Sequence, residues 1–164
     1  MDDEEDEMKK LSEKQREFTL MVARFIDFVY SKLGYELTCG EAWRPQMMQD
    51  YYLKTGKSEV KHSTHQDRLA EDFNLFINGV YVADKEKYRP LGEYWESIGG
   101  RWGGRFGVQE KDYDQEIGWD AGHFEYGGKK AILRKNHRGA WTVKKSNKIS
   151  LGWLERFILS FWNR

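Results

Sequence analysis

Two histidines and an aspartate in this chain have the types and the spacing to hold a catalytic metal. His65 closes the triplet Ser63-Thr64-His65, Asp72 follows seven residues later, and a separate Asp120-Ala121-Gly122-His123 supplies a second imidazole. Two imidazole nitrogens and one carboxylate oxygen are donors that zinc accepts. Three protein ligands then leave a fourth tetrahedral position for a reactive water, the arrangement of a zinc hydrolase. Spacing alone does not separate this set from a chance grouping, because aspartate and histidine are common and His123 is remote in sequence. His62 and His137 read as ordinary hydrogen-bonded or surface groups.

These groups need elements to hold them. Ser12 and Gln15 look like a capping box, and Phe18, Met21, Val22, Phe25, Ile26, Val29 and Leu33 recur at helical spacing, so a helix is predicted over 13–33, stopped by Gly34. A strand is predicted over 35–43, with Leu37 and Cys39 on the opposite face from Glu36 and Thr38, ending at Arg44-Pro45. A short helix over 46–54 follows, its Met47, Tyr51 and Tyr52 turned inward, and 57–64 reads as loop. Asn78-Gly79 between apolar runs is a hairpin signal joining strands over 69–77 and 80–82. Asp72 is therefore placed on a strand and His65 on the loop feeding it.

A second amphipathic helix is predicted over 88–98, with Pro90 in its first turn, and two more short strands over 102–106 and 121–126. Trp95, Trp102 and Tyr94 lie in patterned segments and read as core. Strands and helices do not alternate regularly. The expected class is α+β, a small antiparallel sheet with helices packed on one side and a single zinc site.

The chain has 164 residues, 27 basic and 27 acidic, which fits one main domain and gives no overall field to attract nucleic acid. Residues 2–7 are all acidic, whereas 127–148 carry eight Lys or Arg and no acid. The expected organisation is an acidic disordered leader over 1–11, a zinc-hydrolase domain over 12–127, and over 128–164 a basic loop followed by an amphipathic helix at 151–162. That tail either docks on the domain or touches a membrane surface peripherally. Cys39 has no partner for a disulfide and reads as a small buried residue. The acidic start is unlike a secretory signal, so synthesis in the cytoplasm is expected.

Resemblance adds to this reading. Ser63-x-His65-x-x-Arg68-x-Ala70-x-Asp72 resembles the Ser-x-His-x-x-Gly-x-Ala-x-Asp signature of the D-alanyl-D-alanine carboxypeptidase and phage L-alanyl-D-glutamate endopeptidase family of zinc peptidases. The likeness continues through Asp72-Phe-Asn-Leu-Phe-Ile-Asn-Gly79, Tyr88-Arg-Pro-Leu-Gly-Glu-Tyr-Trp95, Trp102-Gly-Gly-Arg-Phe106 and Asp120-x-x-His123-Phe-Glu125, covering about 18–126. It implies a zinc metallopeptidase acting on peptidoglycan stem peptides, with His65, Asp72 and His123 as metal ligands and Asp120 as general base. Arg44 is implied as the cation steadying the developing oxyanion, with Ser63 beside it as a substrate contact.

The aspartate three residues before His123 looks like the phage endopeptidase variant, which implies cleavage of the L-Ala-D-Glu bond. A D,D-carboxypeptidase is the alternative. The implied setting is a monomeric phage endolysin or wall-penetration enzyme, acting at the cell wall after release or carried in the virion. Arg68 departs from the signature glycine, a difference that bears on substrate preference more than on metal binding. Asp120 can instead be a partner that orients an imidazole, and Glu125, on the same strand face as His123, is a rival for either role. A reading from another class is a noncatalytic wall-binding or virion protein stabilised by zinc, which would need a fourth protein ligand.

Overall fold

The apolar stripe at helical spacing decides the first element. Phe18, Met21, Phe25 and Val29 are buried along one side of α1 (Asp2–Phe28) and of the π-helical turn Val29–Leu33 that continues it. Gly34, at φ 66°, ends the run and returns its amide to the Val29 carbonyl. The computed structural model describes residues 2–128, with side chains for 8 and 10–128, and the backbone of 133–135 and 141–143. Ser12 does not start the helix, as its capping pattern suggested, and the acidic leader expected to be disordered is helical from Asp2.

The remaining elements are β1 (Glu36–Cys39), α2 (Gln46–Lys54), β2 (Ala70–Ile77), β3 (Val80–Tyr81), α3 (Arg89–Ser97), β4 (Gly100–Trp102) and β5 (His123–Tyr126). The strands form one five-stranded antiparallel sheet in the order β1-β2-β5-β4, with β3 also on β2. Asn78 and Gly79 both have positive φ, 54° and 74°, as a two-residue hairpin turn demands. The class is α+β.

α1 and α3 cover the same face. Phe25 packs on Phe73 of β2, Phe124 of β5 and Trp95 of α3, with ring centroids 5.2, 4.6 and 5.5 Å apart. Trp95 and Trp102 are fully buried, and their indole N–H groups donate to the Glu125 and Ala121 carbonyls at 2.9 and 2.8 Å. Two core tryptophans thus grip β5 and the turn leading into it.

Two burial expectations are corrected. Cys39 is exposed, because α1 lies over β2 and β5 while β1 is the edge strand. Met47 and Tyr51 of α2 are also exposed, at 79% and 52%. The inward residue of α2 is the polar Gln49, whose amide donates to Ser58 and Val60 of the following loop.

The chain divides into two compact units, Met1–Ala131 and Ile132–Arg164. Within the second, β6 (Leu133–Lys135) and β7 (Trp141–Val143) pair as an antiparallel hairpin where the sequence suggested basic loop. The amphipathic helix expected at 151–162, its membrane contact, and His137 lie outside the described residues. No helix among the described residues is long and apolar enough to cross a membrane.

Candidate metal centre

Strand register brings the predicted ligands together. Asp72 pairs with His123 and Ala70 with Glu125, so Asp72, His123 and Glu125 share the sheet face turned away from α1, while Phe73 and Phe124 point into the core. His65 arrives from a tight loop. The Gln66, Arg68 and Leu69 amides donate to the Ser63, His65 and Thr64 carbonyls at 2.9, 3.2 and 3.0 Å, and the His65 carbonyl also accepts from the Arg44 amide at 3.3 Å.

Three lone-pair atoms converge there. His65 Nε2 lies 3.2 Å from His123 Nδ1, His123 Nδ1 lies 3.0 Å from Asp72 Oδ1, and His65 Nε2 lies 3.4 Å from Asp72 Oδ1. Ligands of a tetrahedral zinc at about 2.0–2.1 Å stand roughly 3.3 Å from one another. The triangle therefore fits a tetrahedral divalent ion in donor type and in size, and the three residues are able to hold a metal. Both histidines are buried and Asp72 is partly open.

The electrostatics follow from that convergence. Burial works against charge on His123, but hydrogen bonds to Asp72 and Glu125 outweigh it and push the imidazole up to about 9. Burial likewise opposes the Asp72 carboxylate, and hydrogen bonds from His123 and His65 overcome it, holding the group down at about 2.

Glu125 has an orienting position. Its Oε2 faces His123 Nε2 at 3.1 Å, the nitrogen opposite the three-atom cluster, and accepts from Thr64 Oγ1 at 2.8 Å. Its Oε1 pairs with Arg101 at 2.7 Å. Fixing the far nitrogen of a ligand imidazole sets the ring angle and the tautomer. Asp120 is different. It precedes β5 in a turn closed by the His123 amide on its carbonyl at 3.2 Å, and its carboxylate bonds to no described residue. The carboxylate lines a cleft of about 260 Å³ together with Asp72. Burial raises its proton affinity, the His123 charge opposes that, and the Asp72 charge adds to it, so that the group is held above the usual aspartate range.

Gly103 makes room for this turn. A methyl group there would overlap the Asp120 carbonyl oxygen and stand 2.9 Å from His123 Cβ. Arg44 follows β1, 12% exposed, with Nε donating to Glu41 Oε2 at 3.0 Å and Nη1 to Gln49 Oε1 at 2.9 Å, and its guanidinium lies 4.7 Å from the centre of the Tyr52 ring. Its charge reaches Asp120, lowering that group's proton affinity. Ser63 is buried, and its hydroxyl accepts from the His65 amide at 3.4 Å, which shapes the turn that presents the imidazole.

Arg68 has φ 54°, the left-handed region that glycine occupies without strain, and its guanidinium stacks 5.3 Å from the Trp43 ring. Arg68 thus sits at a position whose backbone conformation favours glycine. Sequence reasoning missed Glu41, Gln49 and Thr64. Thr64 stood in plain view inside the Ser63-Thr64-His65 triplet, whereas nothing in the pattern marked Glu41 or Gln49 as partners of Arg44.

No family model and no curated protein matches the chain. Among solved structures, the Serratia marcescens L-Ala D-Glu endopeptidase ChiX is similar to it, with 20% identity over 70% of this chain and 84% of that one and a TM-score of 0.49.

Proposed function

We propose that this chain is a zinc-dependent peptidoglycan peptidase that hydrolyses a stem-peptide bond, the L-Ala-D-Glu bond first among them. The observation that carries the reading is the triangle of His65 Nε2, Asp72 Oδ1 and His123 Nδ1 beside an uncommitted, partly desolvated Asp120 carboxylate. Zinc bound there would supply an acidified water and polarise a carbonyl. Asp120 takes the proton released as water attacks and delivers it to the leaving amine, and a raised proton affinity suits a group that must do both. Arg44, held rigid by Glu41 and Gln49, adds positive charge where the carbonyl oxygen becomes negative. Glu125 keeps the His123 ring in place throughout.

Three protein ligands with no fourth among the described residues support a catalytic over a purely structural site. The separated motifs and the Asp120-x-x-His123 pattern support the endopeptidase and its setting in lysis or wall penetration. Digestion of purified murein, with the new termini mapped by mass spectrometry, tests the proposal. New N-termini at D-Glu are expected. Release of D-alanine alone would assign a carboxypeptidase, and absence of any cleavage with zinc bound would assign a binding protein.

A further inference from the structure

The cleft beside the metal cluster has a feature that bond cleavage leaves unused. Asp72 and Asp120 line it together with Asn74, Tyr81, Lys85 and Tyr88, and Lys85 is the one cation among the lining side chains. Nearby acids are already engaged. Asp84 Oδ1 accepts the Glu86 amide at 3.0 Å, and the two Glu86 oxygens face Arg89 at 3.0 and 3.2 Å. Among the described residues no carboxylate pairs with Lys85. The Tyr88 hydroxyl is committed to the Leu75 amide and the Phe73 carbonyl, and Asn74 donates to Thr38 Oγ1 at 3.3 Å. Tyr81 is 56% exposed, its ring propped edge-on against Phe76, and its hydroxyl bonds to no described residue. The cleft is therefore lined by a lysine without a described carboxylate partner and a tyrosine whose hydroxyl is unused, both able to donate, in addition to its acidic end.

We infer that Lys85, with the Tyr81 hydroxyl, forms a subsite for a carboxylate of the substrate. A bound divalent ion would offset the negative charge of Asp72, leaving Lys85 to select an anionic ligand group over a neutral one. This inference rests on the peptidase reading for its substrate class: stem peptides carry a free α-carboxylate on the γ-linked D-Glu and another at the C-terminus. Both sources present the same chemistry to a lysine, and amidation removes either one without changing its size.

The test compares three synthetic peptides on the zinc-loaded full chain: L-Ala-γ-D-Glu-L-Lys with both carboxylates free, with the D-Glu α-carboxylate amidated, and with the C-terminal carboxylate amidated. Hydrolysis is followed with the parent, Lys85→Met and Lys85→Arg, and binding is measured by calorimetry on the same three in an Asp120→Asn background. In the parent, amidating one of the two carboxylates is expected to raise KM and Kd about tenfold, the scale of a charge-assisted hydrogen bond, with kcat changing less. The peptide affected identifies the carboxylate read. Lys85→Arg keeps the preference, and in Lys85→Met the free and amidated peptides converge to within about twofold.

An amidation penalty that is absent in the parent, or equal in Lys85→Met, would overturn the subsite. Carboxylate-selective, Lys85-dependent binding without any hydrolysis would keep the subsite and remove the peptidase reading. Neither hydrolysis nor binding of any of the three would overturn both.

Discussion

Asp72 and His123 are register partners across β2 and β5, and their Oδ1 and Nδ1 atoms stand 3.0 Å apart. The candidate site is thus built on strand pairing, with His65, Asp120 and Arg44 brought in by the turns and loops around it. A one-residue slip would turn Asp72 into the core and bring Glu71 or Phe73 to the metal face, so correct sheet formation and metal binding depend on the same register.

The two carboxylates near His123 should fail differently. Asp120→Asn keeps the size of the side chain but cannot take a proton, so kcat is expected to drop by about 10²- to 10⁴-fold with zinc retained. Glu125→Gln leaves the His123 ring less well held, and zinc affinity is expected to fall by roughly 10- to 100-fold with a smaller effect on kcat at saturating metal. Zinc analysis alongside steady-state kinetics on both variants checks this, and the reverse pattern would move the base to Glu125.

Stability of the metal-free protein should peak in mildly acidic solution. The His123 proton affinity is raised from 6.5 to about 9, so its contribution is complete below 6.5 and lost as pH rises through about 9. The Asp72 carboxyl is lowered from 3.8 to about 2, so its contribution is complete above 3.8 and lost as pH falls through about 2. Denaturant midpoints of chelated protein are expected to be highest between those limits. Zinc must displace the His123 proton, so its affinity should climb from pH 6.5 to 9, and saturating zinc should shift the optimum upward. A midpoint profile identical with and without zinc would count against this.

Gly103→Ala tests the packing behind the turn. The added methyl meets the Asp120 carbonyl and His123 Cβ, both on backbone fixed by β5, so there is little freedom to yield. A loss of about 1–3 kcal/mol in stability is expected, with weakened zinc binding. Thermal melts and metal titration read the two effects.

Arg68 gives a finer comparison. Left-handed backbone costs a non-glycine residue about 1–2 kcal/mol, while glycine costs roughly 0.5–1 kcal/mol in chain entropy and forfeits a stacking contact with Trp43 of about 0.5–1 kcal/mol. These terms nearly cancel, so Arg68→Gly is expected to leave stability within about 1 kcal/mol of the parent. Arg68→Ala keeps the strain and loses the stack, and should be the less stable variant in urea melts.

Much of this was legible in the chain. The Phe18-Met21-Phe25-Val29 stripe and the Asn78-Gly79 turn are local patterns with strong physical meaning, and the fold has them where the sequence put them. The His65, Asp72, His123 grouping is not local: residue types suggested it, the resemblance singled it out, and strand pairing brings the three together. The misses came from long-range packing. Cys39 alternates like a core residue but lies on an edge strand beyond the cover of α1, and α2 turns Gln49 inward because its neighbour is a polar loop. The Arg44–Glu41–Gln49 cluster and the Lys85 cleft depend on how turns fold back, which no periodicity reports.

The central claim is tested most directly by stripping the protein with a chelator and titrating zinc back while following hydrolysis of L-Ala-γ-D-Glu-L-Lys and bound metal together. Activity is expected to vanish on stripping and to return in proportion to zinc, saturating at one equivalent per chain, with His123→Ala recovering neither metal nor activity. Full activity in the stripped protein, or one tightly held zinc in His123→Ala, would contradict the account.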